Sequence, residues 1–375
     1  MKETVYRNFY VGSKIISGRR ALETLSFELL QQDAKRPLCL IPESEKTAAK
    51  TIRKALKSTV TVIGAVRVCR HDEADLPEKI AETYRKCACD SLIVVAEAQL
   101  MRAVKSAWLK LSVGKTADEI GKTATDTEIT EMPPKKGIPL FAVSVPSVEA
   151  TYFPNKLSLG KKRILSPVLF ADTVFIDPRI TKRSSARKQW RLSAAASLMI
   201  SVWALSDTLS HPAAKACALS AIGQIGEAVT TRSSAEQTRL ICNAQIFSKT
   251  ALLNSRPFAA VEILPLIPVS DETRIGILKS VFEKALPDFS FGHADLVQAV
   301  LTLCETADFD DSSPETVIKL FITAVSDLLE ILLPGNTSVN AEIWTQTAKA
   351  VSASYLNDTE LKNECLAFLQ SQIGE

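Results

Sequence analysis

The 375-residue sequence has few histidines, no CxxC pair and no long uncharged apolar run. Its three histidines, His71, His211 and His293, are scattered and form no cluster that suggests a metal site. No apolar run reaches the roughly 18 to 20 residues that span a bilayer. Residues 1–14 also lack the apolar core of a signal peptide. We therefore expect a cytoplasmic protein without a membrane partner.

The cysteines and the charges are both dispersed along the chain. Of eight cysteines, only Cys87 and Cys89 lie close together, which favours reduced thiols over a disulfide framework or a zinc site. The 45 basic and 42 acidic residues are well mixed and give a net charge of +3. Because there is no basic stripe, we expect no nucleic-acid partner.

The first half of the chain alternates short apolar runs with helical segments of 10 to 15 residues. This alternation is typical of a parallel sheet with crossover helices. It predicts a Rossmann-like α/β domain over residues 1–180. The predicted strands are 35–43, 59–68, 91–96 and 138–146, and the helices before the first three are 21–32, 47–57 and 76–88.

The second half, from Ser184 onward, is rich in alanine and leucine at helical spacing and has hardly any strand signal. It predicts an all-α domain over residues 181–375. The predicted helices are 193–209, 214–229, 235–253, 273–286, 294–307, 315–333, 341–356 and 360–373.

Four strings, in order, carry a resemblance to a known family. They are IISGRRALETL from residue 15, CRHDEADLPEKIAETYRKCACDSLIVV from 69, GIPLFAVSVP from 137, and KKRILSPVLFADTVFIDPRIT from 161. The chain resembles the iron-containing alcohol dehydrogenases, whose fold is dehydroquinate synthase-like, and most closely their maleylacetate reductase branch. The resemblance implies a homodimer with a cleft between an α/β and an all-α domain.

The family binds the cofactor pyrophosphate on a Gly-Gly-Gly-Ser turn after its third strand, where bare N–H groups begin a helix. The matching residues here are Ala96, Glu97, Ala98 and Gln99. A carboxylate about 4 Å from a phosphate costs on the order of 4 kcal/mol at an effective dielectric near 20. We therefore expect no cofactor, with NADH or NADPH as the alternative. Lys105 matches a family lysine on the next helix, and we expect it to be solvated.

The family's metal ligands are an aspartate or asparagine and a histidine four residues apart, with two further histidines. The matching positions are Ala196, Ile200, Leu264 and Ser270, and none is a convincing ligand. The resemblance therefore implies no metal in this chain. The reductase branch's HAETH is replaced by SDETR over residues 270–274.

Polar residues that fall at the expected cleft are the candidate site. The catalytic candidates are Glu97, Glu149 and Tyr152, which can act as an acid or a base. The candidates for substrate binding are Gln99, Ser147, Lys161, Trp203, Ser270 and Arg274.

These residues favour a cleft that binds or transforms a small organic molecule without metal or nicotinamide, by lyase, isomerase or cyclisation chemistry. One alternative is an NAD(P)H-dependent oxidoreductase similar to maleylacetate reductase. Another is a non-catalytic subunit that pairs with an active relative. The sequence leaves all three open.

Overall fold

The computed structural model describes residues 9, 11–57, 65–69, 75–113, 137–146, 156–159, 162–165, 169–181, 187–255, 270–303, 313–334 and 345. These residues group into two compact units. One unit comprises Gly12–Ala186 and Ser234–Cys242, and the other comprises Met1–Val11, Arg187–Ser233 and Asn243–Glu375. The boundary near residue 180 stays a prediction.

The first unit is built on a parallel sheet, as the sequence predicted, and the sheet has six strands where four were predicted. The strand order is β1-β8-β5-β4-β2-β3, and every neighbouring pair runs parallel. A separate antiparallel hairpin pairs β6 with β7. The strands are β1 Lys14–Ser17, β2 Pro37–Pro42, β3 Ala65–Cys69, β4 Ser91–Ala96, β5 Leu140–Ser144, β6 Lys156–Leu159, β7 Lys162–Leu165 and β8 Thr173–Ile176.

The central strands β2 and β4 are buried at every residue. Continuous apolar runs of this kind are typical of parallel strands with both faces covered. The pair is in register with Leu40 opposite Val94, so the two strands end at the same edge of the sheet. Of the predicted strand over 59–68, residues 58–64 lie outside the described part of the chain.

The helices of this unit follow the predicted segments. A 3₁₀ turn at Ala21–Thr24 leads into α1, so the predicted first helix begins as a tighter turn. Helix α2 is strongly amphipathic and buries Ala48, Ile52, Ala55 and Leu56. The α-helices are α1 Leu25–Gln31, α2 Lys46–Lys57, α3 Leu76–Lys86, α4 Ala98–Val113 and the short α5 Pro178–Thr181.

Strand β8 inserts between β1 and β5 and was not predicted as a strand of the main sheet. Directly after it, the fully buried Asp177 accepts hydrogen bonds from the Leu22 N–H and from the Arg179 guanidinium at 3.2 and 2.6 Å. Arg179 also contacts Glu23 at 2.9 Å. These contacts tie the end of β8 to the start of the first helical turn.

The described residues from 187 onward contain six of the eight predicted helices. The two predicted over 341–356 and 360–373 lie outside the described residues. The six are α6 Arg187–Ser206, α7 Pro212–Thr230, α8 Ser234–Leu253, α9 Asp271–Ala285, α10 His293–Leu303 and α11 Pro314–Leu332. The first half of α8, through Cys242, groups with the α/β unit.

Polar side chains cap three of these helices. The His211 Nδ1 accepts a hydrogen bond from the Ala213 N–H at 3.1 Å and begins α7. Ser270 and Ser313 begin α9 and α11 in the same way, each accepting from the N–H three residues on. Among the described residues, no helix is both long enough and apolar enough to cross a membrane.

Candidate functional site

The candidate site in the α/β unit is the N-terminus of α4, which begins two residues after β4 ends. The N–H groups of Gln99 and Leu100 donate to the two carboxylate oxygens of Glu97, at 3.3 and 3.2 Å. A helix N-terminus at the carboxyl edge of a parallel sheet favours an anion. The half-buried Glu97 carboxylate supplies that anion here.

The hydrogen bonds between Glu97 and the α4 N-terminus determine how a dinucleotide can bind there. The N–H donors of α4 suit a phosphate, and they are engaged by a side chain of the same turn. A pyrophosphate takes these donors only when the Glu97 side chain rotates away. The Gln99 side chain is exposed at the same helix end.

A second carboxylate, Glu45, lies at the same edge of the sheet and was missed by the sequence analysis. It follows β2 by three residues and is only 8% exposed. Its backbone is hydrogen-bonded, but no residue in the part of the chain that the structure describes donates to its carboxylate or pairs with it. Burial, together with the nearby Glu97 charge, raises the pKa of Glu45 to about 7. The feature that could have identified Glu45 was its position just after β2, a buried strand that lies beside β4. We call Glu45 and Glu97 the carboxylate pair.

Lys105 was expected to be solvated, and this is wrong, because its side chain is only 1% exposed. The reason is the packing of α4 in the folded protein. Helix α4 packs against β4, α3 and β6, so the face that carries Lys105 is covered. The sequence of α4 by itself did not show that this face is buried.

The positions that match the family's metal ligands lie in two places. Ala196 and Ile200 are buried on α6 and carry no ligand atom. The Ser270 hydroxyl accepts from the Thr273 N–H at 3.3 Å as the cap of α9. Leu264 lies outside the described residues. In the part of the chain that is described, no three metal-ligating side chains come together. The hydrocarbon side chains of Ala196 and Ile200 do not fit a metal ion.

Three of the predicted substrate-binding residues lie in the helical unit. Trp203 packs edge-on against Phe289, with ring centroids 5.4 Å apart. Ser270 and Arg274 lie one turn apart at the start of α9. The Arg274 guanidinium is 3.4 Å from the Asp271 carboxylate, so an anion would have to compete with that carboxylate.

The structure brings together only part of the predicted site. Glu97 and Gln99 share the α4 terminus, and Ser270 and Arg274 share the α9 terminus. The predicted cleft stays a prediction. The remaining candidates, Glu149, Tyr152, Ser147 and Lys161, lie outside the described residues, and their roles also stay predictions.

No protein-family model matches the chain, and no curated protein matches its sequence. Solved structures do match it. A 1,3-propanediol oxidoreductase is 14% identical, with 98% of this chain and 99% of that chain covered and a TM-score of 0.76. An iron-containing alcohol dehydrogenase from Thermococcus thioreducens is 15% identical, with 96% and 100% covered and a TM-score of 0.68. This chain has the iron-containing alcohol dehydrogenase fold.

The fold class predicted from the sequence and the resemblance at the level of the fold are thereby confirmed. The helical second half and the parallel sheet of the first half both belong to that fold. Closeness to the maleylacetate reductase branch stays a prediction.

The prediction that the chain uses no cofactor is wrong. A third match is sulfoacetaldehyde reductase from Bifidobacterium kashiwanohense, solved in complex with NAD+. It is 12% identical, covers 98% of this chain and 100% of its own, and has a TM-score of 0.71. The expected repulsion holds only while the Glu97 carboxylate faces the phosphate, and here that carboxylate is a half-buried side chain that accepts from the Gln99 and Leu100 N–H groups at 3.3 and 3.2 Å.

Proposed function

We propose that this protein is an NAD(P)H-dependent oxidoreductase that reduces the carbonyl group of a small organic molecule. The anion-binding N-terminus of α4 carries the proposal. Its N–H donors stand at the carboxyl edge of the sheet, where α/β folds bind nucleotides. The nicotinamide cofactor supplies the hydride when it is bound.

The chain's own contribution starts with the backbone of α4. The N–H groups of Gln99 and Leu100 hold the pyrophosphate once Glu97 has turned away. The positive end of the helix dipole adds to that attraction. Cofactor binding is therefore weaker than it would be with a glycine at position 97.

Ala196 and Ile200 offer no ligand for a metal ion that would polarise the substrate oxygen. We therefore propose that the carbonyl is polarised by hydrogen bonds. Reduction also needs a proton on that oxygen, and Tyr152 and Glu149 stay the predicted donors.

The test is binding of NADH and NADPH to the wild type and to Glu97→Gly, measured by nicotinamide fluorescence and thermal shift. The variant removes the competing carboxylate, so we expect its affinity to rise by about tenfold or more. Glu82→Gln, an exposed carboxylate on α3, is the matched control and should leave the affinity unchanged.

Carbonyl reduction is then followed as loss of nicotinamide absorbance with a panel of small aldehydes and ketones. The wild type should oxidise the reduced cofactor after exhaustive chelation. If millimolar NADH and NADPH bind neither the wild type nor Glu97→Gly, the proposed function is wrong.

A further inference from the structure

The carboxylate pair places two acidic side chains near the α4 N-terminus, where the proposed function requires the cofactor pyrophosphate to bind. Glu45 and Glu97 follow two neighbouring parallel strands that end at the same level. The Glu97 carboxylate is compensated by the helix N–H groups, whereas no described residue donates a hydrogen bond to the Glu45 carboxylate. Because Glu45 is only 8% exposed, its carboxyl group is largely withdrawn from water, which disfavours the ionised form.

Among the described residues around α2, Glu97 is the charged group that acts on Glu45. Helix α2 packs against the 3₁₀ turn at Ala21–Thr24, α1, β2 and α5. On α5, Arg179 pairs with Asp177 and Glu23. On α1, Glu28 pairs with Lys14, and neither residue belongs to the 3₁₀ turn.

The charges on α2 and on the loop before it face solvent. Lys46 and Glu43, on either side of Glu45, are exposed, so water screens their charges. Further along α2, Lys50, Arg53, Lys54 and Lys57 are exposed as well. Burial and the Glu97 carboxylate together raise the pKa of Glu45 to about 7.

We infer that a phosphate-bearing ligand binds at the N-terminus of α4 by displacing the Glu97 carboxylate, and that the carboxylate pair takes up one proton from solvent as it binds. This inference deepens the proposed function and takes its ligand class from it. The displaced Glu97 loses its N–H donors and lies near both Glu45 and the incoming phosphate. Two acids beside a new anion hold one proton between them, because like charges at short range disfavour double ionisation.

The proton linkage has a definite sign. Below about pH 7 Glu45 already carries its proton, and binding takes up little more. Above it, binding must first protonate the pair, so the affinity for an anion falls by up to about tenfold per pH unit. This fall in affinity with pH ends at the higher pKa that the carboxylate pair has in the complex.

The probe is ADP-ribose, which carries a pyrophosphate diester that does not titrate near neutral pH and has no nicotinamide. Calorimetric titrations of the full chain at about pH 8, in two buffers of different ionisation enthalpy, count the protons taken up. We expect uptake approaching one proton for the wild type and almost none for Glu45→Gln. Glu97→Gln, which removes the repelling charge, should also reduce the uptake. Glu82→Gln should behave like the wild type.

The outcomes separate this inference from the proposed function. Wild-type binding without proton uptake, or equal uptake in Glu45→Gln, overturns the inference even if the protein reduces carbonyls with NADH. Proton-linked ADP-ribose binding without any hydride transfer supports the inference and overturns the proposed reaction. If ADP-ribose binds neither the wild type nor Glu97→Gly, the α4 terminus is not an anion site and the inference fails.

Discussion

At the scale of single residues, Asp177 is the buried charge with the clearest structural role. Burial by itself would raise the pKa of Asp177, but hydrogen bonds from Arg179 and from the Leu22 N–H outweigh it and hold the pKa below its ordinary value. The carboxylate thus joins the end of β8 to the first helical turn in its ionised form. Its removal would leave the Leu22 N–H unpaired and buried.

We expect Asp177→Asn to lower the free energy of unfolding by about 2 to 3 kcal/mol, because a charged hydrogen-bonding group is lost while Arg179 turns to solvent. Urea unfolding at neutral pH measures this. Asp33→Asn is the control, since Asp33 is exposed, has a positive φ that asparagine tolerates, and should change little.

The difference in stability between the wild type and Asp177→Asn should also depend on pH. A carboxyl group with a lowered folded-state pKa contributes stability above its unfolded pKa, about 3.9 for aspartate, and loses it as the pH falls through the folded value. The gap in stability between wild type and Asp177→Asn should therefore shrink below about pH 4. A gap that stays constant to lower pH would show that Asp177 stabilises the fold in some other way.

At the scale of elements, the start of α9 combines a structural and a proposed functional role. Ser270 caps this helix with the same geometry as Ser313 caps α11, each at 3.3 Å from the N–H three residues on. Only Ser270 was predicted to bind substrate. The two caps therefore form a matched pair within the helical unit.

Ser270→Ala and Ser313→Ala should each lower stability by about 1 kcal/mol through loss of a helix cap. If Ser270 also binds substrate, its variant alone should raise the KM for the carbonyl substrate. Thermal unfolding and steady-state kinetics on both variants separate the two effects. Equal kinetics in the two variants would leave Ser270 as a cap and nothing more.

At the scale of the whole molecule, the two units do not divide at a single point in the chain. Residues 234–242, the first half of α8, group with the α/β unit. They bring buried side chains with them, including Leu240, Ile241 and Cys242. A cut near residue 180 removes this segment from the α/β unit.

A fragment of residues 1–186 should therefore unfold at a lower temperature than the full chain and expose apolar surface, because the sites that bury residues 234–242 are left open. Circular dichroism melting and a hydrophobic dye measure this. Addition of a peptide spanning 234–242 should recover part of the stability. A fragment as stable as the full chain would mean that the α/β unit is complete without that segment.

The pattern of the sequence determined the elements. Buried runs such as SLIVVA, at residues 91–96, are short and rich in β-branched residues, which favours a strand, so β4 was predicted at its observed bounds. The amphipathic spacing of α2 likewise determined its bounds to within one residue. Glu97 was also found from the sequence, because it replaces a glycine of a turn whose chemistry needs bare N–H groups.

Tertiary structure alone decided what surrounds those side chains. Glu45 became a buried acid near Glu97 because β2 and β4 are neighbours in the sheet, although they are separated by α2, β3 and α3 in the chain. Lys105 was covered because α4 packs against β4, α3 and β6, and the four-residue β8 became a strand because β1 and β5 flank it. Periodicity records which face of an element is apolar, but burial and pKa depend on neighbours that the chain brings together only when it folds.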